Sequence, residues 1–154
     1  MSLENNKATV RRLFEVENTR TLAALDELIA PDYVHNTLQL RGLESYKQLN
    51  TEAFKAFPDF HETIEDIVAE GDKVWIRFTG TGTHRGEWSV PQALTPAGKK
   101  MTLAPTGKKI TFTAVLIYRI VNGKVAECWG VYDFLEFYSQ LGVIDYKGFP
   151  DEVS

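Results

Sequence analysis

The sequence predicts an α+β fold, with helices packed on one face of a curved, mainly antiparallel sheet. Up to Phe57 the apolar residues recur at helical spacing, and from Phe60 onward they alternate at the period of strands. A third observation anchors the sheet: Asn122-Gly123 joins two alternating runs and has the chemistry of a type I′ hairpin turn.

Val10, Leu13 and Phe14 form one apolar stripe on a helix over Ala8 to Asn18. A second helix starts at Thr21 as N-cap and carries Leu22, Leu25, Leu28 and Ile29 until Pro31 stops it. Tyr33 to Thr37 is a short extended piece. A third helix opens at Gly42, keeps its period through Leu43, Tyr46, Asn50, Ala53 and Phe57, and ends at Pro58. Phe60 to Glu70 is a strand. In the next, Val74, Ile76 and Phe78 alternate with Trp75, Arg77 and Thr79, and Gly80 and Gly82 predict a bend or bulge.

A long loop from His84 to Gly107 leads into the hairpin. Counting pairs back from Asn122-Gly123 sets Tyr118 opposite Glu127, Leu116 opposite Trp129, Ala114 opposite Val131 and Phe112 opposite Asp133, all on one sheet face. Phe134 to Leu141 closes the chain as a short helix. The total is a sheet of about four strands.

The 154 residues read as a single domain, 1–154, long enough to bury a core. A net charge of −4 with no basic patch argues against nucleic acid. No apolar stretch approaches the ~20 residues that cross a bilayer. The start, MSLENNKATVRR, lacks a signal peptide's apolar centre. A cytoplasmic location without membrane contact is the expectation. The lone Cys128 forms no intrachain disulfide and reads as a packed thiol. No His, Cys or Asp spacing supports a metal site.

One phrase occurs twice: LTPAGKKMT, Leu94 to Thr102, then LAPTGKKIT, Leu103 to Thr111, with six of nine positions identical. The second copy leads into the hairpin, because Ile110 and Phe112 continue its alternation. The first reads as a tandem duplication, either a tolerated surface extension or a lid on a pocket or a dimer contact.

The order of LAALDELIAPDYVHN, AFPDFHETIEDIVAEGDKVWIRFTGTGTHRGE, PTGKKITFTAVLIYRIVNGKVAECWGVYD and FLEFYSQLGV resembles the SnoaL-like polyketide cyclases, or predicted ester cyclases. These belong to the nuclear-transport-factor-2-like superfamily, and the likeness runs from Lys7 to Val143. It implies a conical barrel, with three N-terminal helices on a strongly curved sheet, a short C-terminal helix and a deep pocket. It further implies a homodimer packed sheet to sheet, and no metal or organic cofactor.

The resemblance implies an aspartate acid/base at the end of the second hairpin strand, where this chain has Asp133. The pair count gives Asp133 apolar neighbours, which raise a carboxyl's pKa toward proton transfer. Asp133-x-x-Glu136 also reads as a capping box, which has the opposite effect. His35, in YVHN, resembles pocket-facing polar residues of the family and suits a proton relay. Alternation sends Asn36 to the other side. Phe112, Leu116, Tyr118 and Trp129 make the wall of a pocket for a flat hydrophobic molecule, or an ordinary core. Some family members place a second histidine on the strand, where this chain has Arg119. The expected function is cyclase-like proton transfer on a small apolar carbonyl compound. The alternative is non-catalytic binding of such a ligand.

Overall fold

The computed structural model describes residues 2–145. Helix α1, Leu3–Thr19, starts at Ser2, whose hydroxyl accepts from the Asn5 N–H at 3.1 Å. It ends at Arg20 in the left-handed region, φ 61°. A single 3-10 turn, Leu22–Ala24, leads into the four-residue helix α2, Leu25–Leu28, and Thr21 makes no side-chain cap. Strand β1, Ile29–His35, and the short β2, Leu40–Arg41, precede α3, Leu43–Ala56. Then come β3, His61–Glu70, and β4, Lys73–Thr83. The ribbon β5, Trp88–Val90, and β6, Met101–Leu103, precedes the hairpin β7, Lys109–Val121, and β8, Lys124–Tyr132. Helix α4, Phe134–Gln140, follows.

Six strands form one sheet in the order β2-β1-β8-β7-β4-β3, antiparallel except for β1 against β8. This corrects the barrel expectation. The sheet is open and ends in two separate edges, β2 and β3, instead of curling shut into a cone. The free edge of β3 is covered by a side chain: Asn18 of α1 donates to the Glu62 carbonyl at 2.8 Å and accepts from the Glu62 N–H at 2.9 Å. Those two groups are no longer available to another strand.

The hairpin register is also corrected. The Asn122-Gly123 turn has φ 49° and 77°, as a type I′ turn requires. Val121 pairs with Lys124 and Ile120 with Val125, but Arg119 then pairs with Glu127, leaving Ala126 as a bulge. Beyond it Tyr118 faces Cys128, Leu116 faces Gly130 and Ala114 faces Tyr132. The slip of one residue exchanges the two faces of β8. Cys128, Gly130 and Tyr132 turn toward the helices. Glu127, Trp129, Val131 and Asp133 turn away.

Gly80 and Gly82 lie within β4, which continues to Thr83 without a break. They give room: a Cβ on Gly80 would meet the Phe112 ring at 2.7 Å. The core lies between the helices and the inner sheet face, where Val74, Ile76, Phe78, Ile110, Ala114 and Ile120 are buried under Val10, Leu13, Phe14 and Val16 of α1.

The loop His84 to Gly107 is more structured than its composition suggests. Both copies of the repeated phrase end in a strand: Met101 opens β6 and Ile110 lies at the start of β7. The first copy supplies Met101 and Thr102 of β6 and the second opens with its Leu103; β6 pairs Val90 with Met101, Ser89 with Thr102 and Trp88 with Leu103. The second is tied to buried His84, whose N–H donates to the Lys108 carbonyl and whose carbonyl accepts from Gly107 N–H.

Candidate active site

A cavity of ≈150 Å³ lies between the inner sheet face, α1, α3 and α4. That is the volume of an apolar cavity known to take up benzene. One wall is aromatic, with Phe57, Phe60, Phe78, Phe112, Phe134 and Phe137 joined by Trp88. Phe112 stacks on Phe60 at 6.1 Å and meets Phe137 edge-on at 5.3 Å. The polar side consists of Glu17, Tyr33, His35, Tyr46, Glu62 and Tyr132, with Asn50 and Tyr118.

His35 ends β1 and is 3% exposed. Its Nδ1 accepts from the Leu38 N–H at 3.3 Å, in the tight turn between β1 and β2. Nε2 must then carry the ring proton of the neutral tautomer and donate it to the Tyr132 hydroxyl, 2.8 Å away. Tyr132 accepts at its oxygen and keeps its own proton free for another acceptor. Burial lowers the His35 pKa to about 4, so the ring is neutral at pH 7. Burial also raises the Tyr132 pKa well above its ordinary value, keeping the phenol a donor. Thr37 fixes the same turn to β8 by donating to the Gly130 carbonyl and accepting from its N–H, both at 2.9 Å. Asn36 turns outward and donates to Glu127 Oε1 at 3.0 Å.

The other polar cluster joins α1 to β3. Glu17 is 5% exposed and receives the Tyr46 hydroxyl at 2.5 Å. Burial raises its pKa, against the hydrogen bonds of Tyr46, Glu62 and Asn50. Glu62 is raised well above the usual carboxylate range, first by burial and then by the charge of Glu17. By accessible surface Glu62 is partly covered, and Gly80 and Asn18 flank its backbone. Sequence reasoning missed both residues. Glu17 stands seven residues after Val10, on the same apolar stripe as Leu13 and Phe14, where a solvated glutamate has no reason to be. Glu62 is in phase with inward-facing Ile64.

Of the residues singled out from sequence, His35, Phe112, Leu116 and Tyr118 line the cavity. Trp129 and Asp133 do not, because the Ala126 bulge turns them to the other face. Asp133 is exposed and its carboxylate accepts from the Glu136 N–H at 3.1 Å, capping α4. Arg119 pairs with Glu127 at 2.8 Å on the outer face. His61 is exposed. Among the described residues no group of three His, Cys, Asp or Glu side chains is placed to hold a metal.

The family model of SnoaL-like polyketide cyclases matches residues 7–141. None of the curated proteins compared matches the chain. Among solved structures the chain is similar to IdmH, "a putative polyketide cyclase" from Streptomyces antibioticus, at 29% identity. That match covers 90% of this chain and 99% of IdmH with a TM-score of 0.69. AclR, "a putative hydroxylase" from Streptomyces galilaeus, is 28% identical over 94% of this chain and 100% of its own, with a TM-score of 0.75. A "putative polyketide cyclase" from Bacillus cereus ATCC 10987 is 26% identical over 92% and 83%, with a TM-score of 0.72. With the family model spanning all but the chain's ends, and these structures sharing its fold over nine-tenths of its length, the protein belongs to the SnoaL-like polyketide cyclase family of the nuclear-transport-factor-2-like superfamily.

Proposed function

We propose that the protein binds a small apolar carbonyl compound of single-ring size and acts on it by acid/base proton transfer, as in aldol cyclisation, isomerisation or dehydration. The observation that carries this reading is the Tyr132 hydroxyl. It faces an aromatic cavity, accepts from neutral His35 and has its own proton to give. A phenol held in that way donates to a carbonyl oxygen and stabilises the negative charge that develops there. His35 is then a positioning residue, and its low pKa keeps it from competing as a cation. The reading assigns the acid role to Tyr132 and not to Asp133, whose carboxylate is engaged at the start of α4. The family's cyclases and the cyclase description of IdmH support the reaction class. The second reading, a binding protein without turnover, uses the same hydrogen bond.

The test is NMR of cyclohexanone labelled with 13C at the carbonyl. Binding moves the carbonyl resonance downfield in the wild type. Tyr132→Phe binds the ring but loses most of that displacement. An equal displacement in both proteins would refute the role of Tyr132.

The homodimer is proposed on the outer sheet face. There Val68, Trp75, Ile117 and Trp129 stand directly opposite one another across four strands, with Val68 63% and Trp75 46% exposed. A row of that kind is too apolar to be left wet. Light scattering at micromolar concentration should give twice the chain mass of 17.4 kDa. Ile117→Lys should halve it, and a monomeric wild type would end the proposal.

A further inference from the structure

The cavity holds an acid pair that the carbonyl-binding reading does not use. Glu17 of α1 and Glu62 of β3 both line it, and each carboxyl lies close enough to perturb the other, the Glu17 charge raising the Glu62 pKa after burial does. Two buried carboxyls this close do not both ionise, and a proton shared between them leaves one negative charge on the pair. The Tyr46 hydroxyl donates to Glu17, with Asn50 lining the cavity beside it, and that bond favours the charge on Glu17 and the shared proton on Glu62. Arg20 supplies positive charge near both, while its N–H groups go to the carbonyls of Glu17, Asn18, Pro58 and Phe60. The pair is therefore a proton acceptor held against an apolar space.

A second, independent observation points to a ligand. Tyr33 is fully buried on the cavity wall, and its hydroxyl has no oxygen or nitrogen partner. It rests against the Cys128 thiol. A dry hydroxyl in that state is costly, and a ligand oxygen would satisfy it. The Tyr33 ring meets Tyr46 edge-on at 5.1 Å and His35 at 6.4 Å. Glu62, Glu17, Tyr46, Tyr33, His35 and Tyr132 thus form one continuous polar edge around an otherwise aromatic cavity.

We propose that the Glu17–Glu62 pair is the base of this site. It removes a proton from the carbon next to a ligand carbonyl whose oxygen is held by the hydroxyls of Tyr33 and Tyr132. The inference rests on the carbonyl-ligand reading of the cavity. In the step, the C–H bond breaks and its proton passes to the Glu17 carboxylate. The electron pair forms a carbon–carbon double bond as the carbonyl π pair moves onto oxygen. The two phenols donate to that enolate oxygen. Return of the proton to the same carbon or to another completes exchange or isomerisation.

The experiment uses cyclohexanone in D2O, with loss of its α-hydrogens followed by 1H NMR and binding followed by Trp88 fluorescence. Wild type should exchange at least tenfold faster than buffer. Glu17→Gln and Glu62→Gln should still bind and lose exchange tenfold or more. If cyclohexanone binds and the Gln variants exchange like wild type, or wild type does not exchange at all, the pair is not a base while the binding site stands. If cyclohexanone does not bind, the carbonyl reading falls and takes this inference with it. Should a Gln variant fail to fold, Glu62→Asp moves the carboxyl by one methylene and must slow exchange. A wild-type rate in Glu62→Asp overturns the proposal.

Discussion

Acidification should weaken the fold through His35 in a window set by its burial. In the unfolded chain its imidazole takes up a proton near pH 6.5, and in the folded protein only at about 4. Between those values the unfolded state holds a proton that the folded state refuses. The contribution is complete above pH 6.5, erodes as the pH falls and is spent below about 4. At ~1.36 kcal/mol per pH unit the loss is about 3 kcal/mol. Other groups titrate in the same window. His84 is lowered by burial in the same sense, while Glu17 and Glu62, both raised, act in the opposite sense. The informative quantity is therefore the difference between wild type and His35→Gln, measured by urea denaturation at pH 7.5 and 4.5. Wild type should lose more than the variant by roughly 2–3 kcal/mol. Equal losses, or a His35 NMR titration near 6.5, would refute both the burial argument and the assigned neutral tautomer.

Gly130→Ala places a Cβ 2.5 Å from the Tyr132 ring and 2.7 Å from Leu116 Cδ2. It should cost about 1–3 kcal/mol by thermal unfolding and disturb the His35–Tyr132 bond. Glu62→Gln removes a carboxyl whose pKa is raised in the fold, an effect that favours folding below the unfolded value of 4.5 and is lost as pH rises. Its melting temperature should exceed wild type's at pH 8, with the gain vanishing below pH 4.5; no gain at pH 8 would count against burial of that carboxyl. Deleting Leu94 to Thr102 should leave the six-stranded sheet intact by circular dichroism. It should expose Trp88, now 9% accessible, and red-shift its fluorescence, because β5 loses two of its three β6 partners.

The helices were legible because each buries one stripe: Val10, Leu13 and Phe14 on α1, and Tyr46, Ala53 and Phe57 around α3. The inward alternation of β4 and β7 was legible for the same reason. Strand β1 was seen only from Tyr33 on, because Pro31 reads as a helix stop. In the fold it lies in the stretch between Ile29 and Val34, where pairing with β8 is irregular and no ladder N–H is needed. Strands β5 and β6 have three residues each, too few for a period to declare itself. Of the site, His35 and its aromatic surroundings could be read. The acid pair could not, because its halves are 45 positions apart and meet only when α1 lies across the edge of β3.

The bulge at Ala126 decides what the site contains, and charge explains why the chain adopts it. Without the extra residue, Glu127, Trp129, Val131 and Asp133 would face the helices, and Cys128 and Gly130 would face out. Two carboxylates would then lie against Tyr118 and Phe112, at a cost of several kcal/mol each. With the bulge, Glu127 reaches Asn36 and Arg119 on the outer face, and those bonds hold its carboxyl below the ordinary range. Asp133 reaches the first turn of α4. The burial of β8 shows the break of phase: buried Val125 is followed by buried Cys128, three positions on, where an unbroken strand alternates in twos. The same break turns Tyr132 inward beside His35, with Gly130 leaving space for its ring. A register that keeps two acids out of the core is thus also the one that brings a phenol to the cavity.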